Sequence, residues 1–214
     1  NEYLGITDAS VTIYPYNGYG DPDFLRYLIS NHRPSAMLHY TDPRFWIWLY
    51  QMEHEVRQIL PLMFYTVWDD LPYPLYNAPY YESCDYIAAV SKQTLNIVKN
   101  VWTINAPQPW QTDYIPHGIN QDFFFPIDQS HGDYPRFLEI KNQICGNADT
   151  EFVVFYNSRN IRRKLVTNII LAFSKFVDGL PKENQHKCLL ILHTQPVDEN
   201  GTDLPITVAT LAPD

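Results

Sequence analysis

Four cations crowd one short stretch: Arg159, Arg162, Arg163 and Lys164 fall within six positions. They follow an apolar run of strand length, Phe152 to Tyr156, and a polar turn, Asn157-Ser158. After them Val166, Ile169, Ile170, Phe173 and Val177 recur at helical spacing. In open parallel sheets ligands sit beyond the carboxyl ends of strands. A helix N-terminus at that place offers unpaired N–H groups and a positive dipole end. Arg159 on the turn and Lys164 on the first helical turn would then grip a diphosphate from two sides. Arginine offers a planar fork of donors, and lysine a mobile point charge. Cations at a helix N-terminus oppose the dipole by about 0.3–1 kcal/mol each, so an anionic partner explains them better than the helix does. The plainer reading is a solvated helix start.

The setting sharpens the contrast. Residues 1–150 hold 8 basic and 17 acidic side chains, whereas residues 151–214 hold 7 of each. A second polar cluster, Trp68-Asp69-Asp70, ends an apolar run that starts at Leu62 and is expected to face a cleft. Its plainer reading is a helix-capping aspartate beside a buried tryptophan. Asp42 reads as a cap, with Pro43 opening the helix. None of the 7 histidines shares a helix face at i, i+4 with another or lies near a cysteine pair, so no zinc site is argued. No Ser-His-Asp arrangement follows from spacing. Asn200-Gly201-Thr202 is read as a chance sequon.

The elements that must position these groups alternate. Strands are expected at 11–16, 36–40, 62–68, 86–90, 114–116, 152–156 and 189–192. Helices are expected at 22–31, 43–59, from the cap Ser91 to Val101, at 135–144 and from 166 onward. Residues 102–135 are rich in proline and aromatics with no period, Gly146-Asn147-Ala148-Asp149 reads as a turn, and 195–205 is turn-rich. Alternation of this kind argues for βαβ units, a parallel sheet and a doubly wound, Rossmann-like arrangement. The charge change near 150 suggests a first domain over 1–148 and the start of a second over 149–214.

Composition bounds the answer. The chain has 214 residues, 45% apolar and 18% charged, which is a globular balance. A net charge of −9 makes it a poor nucleic-acid binder, and argues weakly against docking on an anionic membrane. No apolar run has the length of a spanning helix, and Asn1-Glu2-Tyr3 begins no leader-like segment. Cys84, Cys145 and Cys188 have no metal-like spacing and read as reduced, buried thiols of an intracellular, cytoplasmic protein.

The run Tyr114-Ile115-Pro116-His117-Gly118-Ile119-Asn120, then Phe124-Phe125-Pro126, resembles a segment of GT-B glycosyltransferases, family 4 especially. The strand, Arg159, Lys164 and Ala172-Phe173 follow at the family's distances. Upstream, Asp85 to Ser91 is similar to the family's preceding strand, and downstream Leu192 to Pro196 and Gly201 to Leu204 fit in order. Ser158 and Leu165 stand where the family carries glycine on either side of the Arg-to-Lys stretch. The family's paired glutamates would fall beyond residue 214, and its glycine-rich loop has no counterpart before Val11. The chain thus resembles the later part of a first Rossmann-like domain and the start of a second.

The resemblance implies a retaining transfer of sugar from a nucleotide-sugar donor, without a bound metal or other cofactor, to a saccharide, lipid or protein acceptor. Arg159 and Lys164 would be the catalytic cations, with Ser158 and Gly118 also on the donor. Trp68, Asp69 and Asp70 would meet the acceptor, Trp68 standing near a position where relatives carry histidine. The alternative is a non-catalytic binding or interaction protein on a truncated glycosyltransferase frame.

Overall fold

A computed structural model describes residues 10–146 and 149–213. Asn1-Glu2-Tyr3, and Asn147 and Ala148 of the expected turn, lie outside the described residues. By contact the chain divides into two compact units, Asn1–Phe124 and Phe125–Asp214.

The first unit opens with α1 (Pro22–His32), where Asp21 accepts from the Asp23 and Phe24 amides and Pro22 takes the first helical position. Then come β1 (Met37–Tyr40), α2 (Ile47–Gln51), α3 (Glu53–Val56), β2 (Leu62–Thr66), α4 (Ala78–Glu82), β3 (Tyr86–Ala89), α5 (Lys92–Val101) and β4 (Thr112–Tyr114). The strands pair in parallel in the order β1-β2-β3-β4. The α/β class and the parallel, Rossmann-like sheet read from the sequence are therefore present.

The order itself places the helices. Strands added in one direction through right-handed crossovers put every connecting helix on the same face. The core agrees: Ile29 of α1, Leu49 and Tyr50 of α2, Val56 of α3, Tyr81 of α4 and Ile97, Val98 and Val101 of α5 join Leu62, Phe64 and Ile87 in one cluster. Leu62, Phe64 and Ile87 point to one side of the sheet, since residues two apart share a face. On the other side Leu38 and Tyr40 are 57% and 56% exposed. The reversal of strand order that makes a doubly wound sheet does not occur among these strands.

Three elements depart from the sequence reading. Residues 11–16 form no strand; Tyr14 bonds its hydroxyl to His32, and Tyr16 stacks on Phe24 and bonds to Asp21. These aromatic rings take α1 as their partner in place of a neighbouring strand. The single helix expected over 43–59 is a 3-10 turn (Pro43–Trp46) followed by α2 and α3, broken where Trp46 and Met52 leave helical angles. Leu49, Met52 and Val56 are buried as the stripe requires, but Phe45 and Ile59 are exposed. The fourth strand lies at Thr112–Tyr114, with Ile115 donating to the Ala89 carbonyl just beyond it.

The second unit contains α6 (Tyr134–Cys145), β5 (Phe152–Asn157), α7 (Val166–Asp178), α8 (Lys182–Gln185), β6 (Cys188–His193) and α9 (Leu204–Leu211). Gly146, at φ 63°, ends α6 in the left-handed conformation that glycine adopts without penalty. β5 and β6 pair in parallel over six residues, from Phe152↔Cys188 to Asn157↔His193. Val166, Ile170 and Leu204 form the buried cluster, with Tyr156, Leu190 and Leu192 against it. α9 begins inside the stretch that reads as turn-rich, at Leu204, with Pro205 in its first turn and Asp203 as its cap. Of the cysteines only Cys84 is buried, where desolvation pushes its thiol up; Cys145 and Cys188 are half-buried, against the expectation of three buried thiols. Among the described residues no helix is long and apolar enough to cross a membrane.

Candidate functional site

β5 and β6 end side by side, so the turns that follow them meet. Asn157 and His193 are the last paired residues, and His193 Nδ1 lies 2.9 Å from Asn157 Oδ1. Beyond them a cleft of about 500 Å³ is lined by Asn157, Ser158, Arg159, His193, Thr194, Gln195 and Pro196. This is the location expected for a ligand at the carboxyl ends of parallel strands.

The turn after β5 and the loop after β6 are bound together at three places. Asn160, 1% exposed, donates from Nδ2 to the carbonyls of Gln195 (3.2 Å) and Thr202 (2.7 Å). The Arg162 amide donates to the Asn200 carbonyl at 3.1 Å. Arg159 donates from Nε and Nη2 to the two oxygens of Asp198 at 2.9 and 3.3 Å. Gly201 is required in this arrangement, because a Cβ there would lie 2.1 Å from the Asn160 carbonyl oxygen. Arg159 and the Asn200 amide hold the Asp198 carboxyl below the usual carboxylate range, so it is charged at neutral pH.

The cations do not converge as the helical spacing implied. Arg159 and Ser158 line the cleft at the strand ends. Arg162 lines a smaller cleft of about 140 Å³, formed with Asn160, Leu165, Val166, Thr167 and the Gly201-Thr202 loop. Lys164 is exposed and lines neither. The cause is local. Arg162–Lys164 form a 3-10 turn, Leu165 turns left-handed at φ 51° and ψ 43°, and α7 starts only at Val166. Lys164 therefore precedes the helix and does not sit one turn inside it. No side chain caps α7 at its N-cap position. Arg162, Arg163 and Lys164 have no ion-pair partner among the described residues, so three positive charges stand uncompensated before the positive end of α7.

The other expected site residues lie in the first unit. Trp68 is half-buried: its Nε1 donates to the Asp70 carbonyl at 3.0 Å, Arg44 lies 5.4 Å above its ring, and Tyr76 meets it edge-on. Asp69 and Asp70 are exposed. Asp69 accepts the Gln93 amide on its backbone carbonyl, and Asp70 accepts the Leu71 amide on its side chain. Neither carboxylate caps a helix, so the plainer reading of this cluster does not describe it. Asp42 does cap the 3-10 turn at Pro43, and Ser91 caps α5, as expected. Gly118 is exposed, with open space where a Cβ would stand, so sterics demand no glycine there. Its neighbour His117 stacks on Tyr65 at 5.5 Å.

Asn160 and Asp198 escaped the sequence reading. Asp198-Glu199-Asn200-Gly201 carries a turn signature, but only the tertiary fold shows that Arg159 is its partner. Nothing in the sequence singles out Asn160. Among the described residues no group of three or more His, Cys, Asp or Glu side chains is placed to hold a metal ion. No family model matches the chain, and no curated protein matches it significantly.

Proposed function

We propose that this chain forms part of a cytoplasmic, nucleotide-sugar-dependent glycosyltransferase, in which the second unit holds the donor diphosphate at the turn between β5 and α7. The observation that carries the reading is the sequence strand, Arg159, uncompensated cations, uncapped helix. An anion at this turn would meet Arg159 at the strand end, and Lys164 would reach it by swinging its flexible four-carbon stem across from the 3-10 turn. Leu165 adds support. It holds a left-handed angle at the very position where the resembling family carries glycine, so the backbone keeps the path that glycine would take freely.

In this reading Arg159 and Lys164 offset the negative charge that builds on the diphosphate as the glycosidic bond breaks. Ser158 supplies a hydroxyl beside Arg159. Trp68, Asp69 and Asp70 are assigned to the acceptor, a saccharide, lipid or protein. Retention of configuration and independence from metal rest on the resemblance. One observation favours the second reading, a non-catalytic binding protein: the charge of Arg159 is already compensated by Asp198.

Calorimetry with a nucleoside diphosphate tests the proposal. Arg159→Ala and Lys164→Ala are each expected to cost about 1.5–3 kcal/mol of binding, the range for hydrogen bonds to charged groups. Arg162→Ala should cost less than about 1 kcal/mol, as its contribution is diffuse. No loss at Arg159 overturns the donor site. Binding without sugar transfer or donor hydrolysis favours the non-catalytic alternative.

A further inference from the structure

We infer that Asp198 is a positioning residue for the diphosphate site, acting through Arg159. The inference rests on the reading of Arg159 as a diphosphate ligand. Three features carry it. Asp198 has a side chain only 3% exposed, whereas that of Arg159 is 59% exposed. The carboxylate therefore lies behind the guanidinium, and Arg159, not Asp198, lines the cleft at the strand ends. Asp198 is itself fixed, since its Oδ1 accepts the Asn200 amide at 2.9 Å in a loop clamped by Asn160.

The division of donors on Arg159 gives the chemistry. Asp198 occupies Nε and Nη2 from one edge. A guanidinium has five N–H donors in a rigid planar fork, so Nη1 and the outer hydrogen of Nη2 stay free for phosphate oxygens. A carboxylate on one edge fixes the direction of the other. Arg159 is thereby aimed before the ligand arrives, and less side-chain freedom is lost on binding. The opposite arrangement, a carboxylate seated in the cleft as a competitor, would place Asp198 on the cleft wall.

The sign of one substitution separates these cases. In the full chain, inorganic pyrophosphate binding is measured by calorimetry for Asp198→Asn, which preserves shape and the acceptor for Asn200. Positioning predicts that affinity falls about tenfold, the equivalent of roughly 1.4 kcal/mol. Asp198→Glu keeps the charge and is expected to stay within about threefold of the native affinity. In an Arg159→Ala background Asp198→Asn should have no further effect, because its route of action is gone. Damage to the loop would persist in that background, and such an additive loss overturns the inference. So does unchanged binding by Asp198→Asn, which would leave the carboxylate without influence, or tighter binding, which would identify a competitor; both leave the donor-site reading standing. If Arg159→Ala itself retains native affinity, the donor-site reading fails and takes this inference with it.

Discussion

The two units are built on different economies of contact. In the first, Leu49, Leu62, Ile87, Ile97 and Val98 are wholly buried, and five helices bring apolar side chains to one cluster. In the second, the buried cluster of described residues is Val166, Ile170 and Leu204, and no residue of β5 is buried. Its turns are nonetheless tied together, through Asn160, Gly201 and the Arg159–Asp198 pair. Apolar area is non-directional, whereas hydrogen bonds fix orientation. The first unit therefore has depth, and the second has loop geometry that depends little on depth. The site proposed at the ends of β5 and β6 would depend on the latter.

The largest effect expected from this contrast is in the first unit. Phe64, 1% exposed on β2, packs against His39, Tyr50 and Tyr81. Phe64→Ala should destabilise that unit by about 3–5 kcal/mol, combining lost transfer energy with a cavity. Ile170→Ala should cost the second unit nearer 2 kcal/mol, because its thinner core can relax around the gap. Hydrogen exchange resolved by peptide measures each unit separately. Equal losses of protection would break the contrast.

The next effect is of pH and belongs to the first unit alone. His39, buried on β1, donates to or accepts from Tyr50 at 2.7 Å through Nδ1, and its Nε2 has no partner among the described residues. Burial lowers its pKa to about 4, with Asp42 opposing that shift. Since the unfolded imidazole titrates near 6.5, the unfolded state binds more protons between these values. Stability is thus complete above pH 6.5 and falls as pH drops toward 4, by about 3 kcal/mol in all. Denaturant unfolding at several pH values should show this slope, and His39→Phe should flatten it. A slope unchanged by that substitution would assign the effect to other groups.

The sequence made the sheet legible because period and punctuation act locally. Ser91 before Lys92–Val101 and Asp42 before Pro43 announce their helices without help from the fold. The 11–16 stretch forms no strand because a strand-like pattern needs a neighbour, and Tyr14 and Tyr16 pack on α1. Arg159 was visible as a cation after a strand. Its partner Asp198, 39 positions away, was not, for that pairing depends on β5 and β6 being adjacent. The displacement of Lys164 follows from one left-handed residue that spacing cannot reveal.

A polar clamp should matter more to the second unit than its small size suggests. Asn160→Ala strands the carbonyls of Gln195 and Thr202 and is expected to cost about 2 kcal/mol, from hydrogen bonds lost and groups left unpaired. Protection should fall at 195–203 first. A uniform loss across the second unit would mean that Asn160 acts as ordinary core.

The smallest effect is the sharpest test of the turn that sets the site. Leu165 carries a left-handed backbone at φ 51° with a side chain that leaves the residue 55% exposed. That conformation costs an L-residue about 1–2 kcal/mol. Glycine adopts it freely, although its greater unfolded-state entropy takes back about 0.4–1 kcal/mol. Little apolar burial is lost at so exposed a position. Leu165→Gly should accordingly stabilise the second unit by about 0.5–1 kcal/mol and leave pyrophosphate affinity unchanged. A loss of stability would show that Leu165 contributes more through its wall of the small cleft at α7 than its backbone costs. The left-handed turn would then be maintained by the side chain, against the preference of its own backbone.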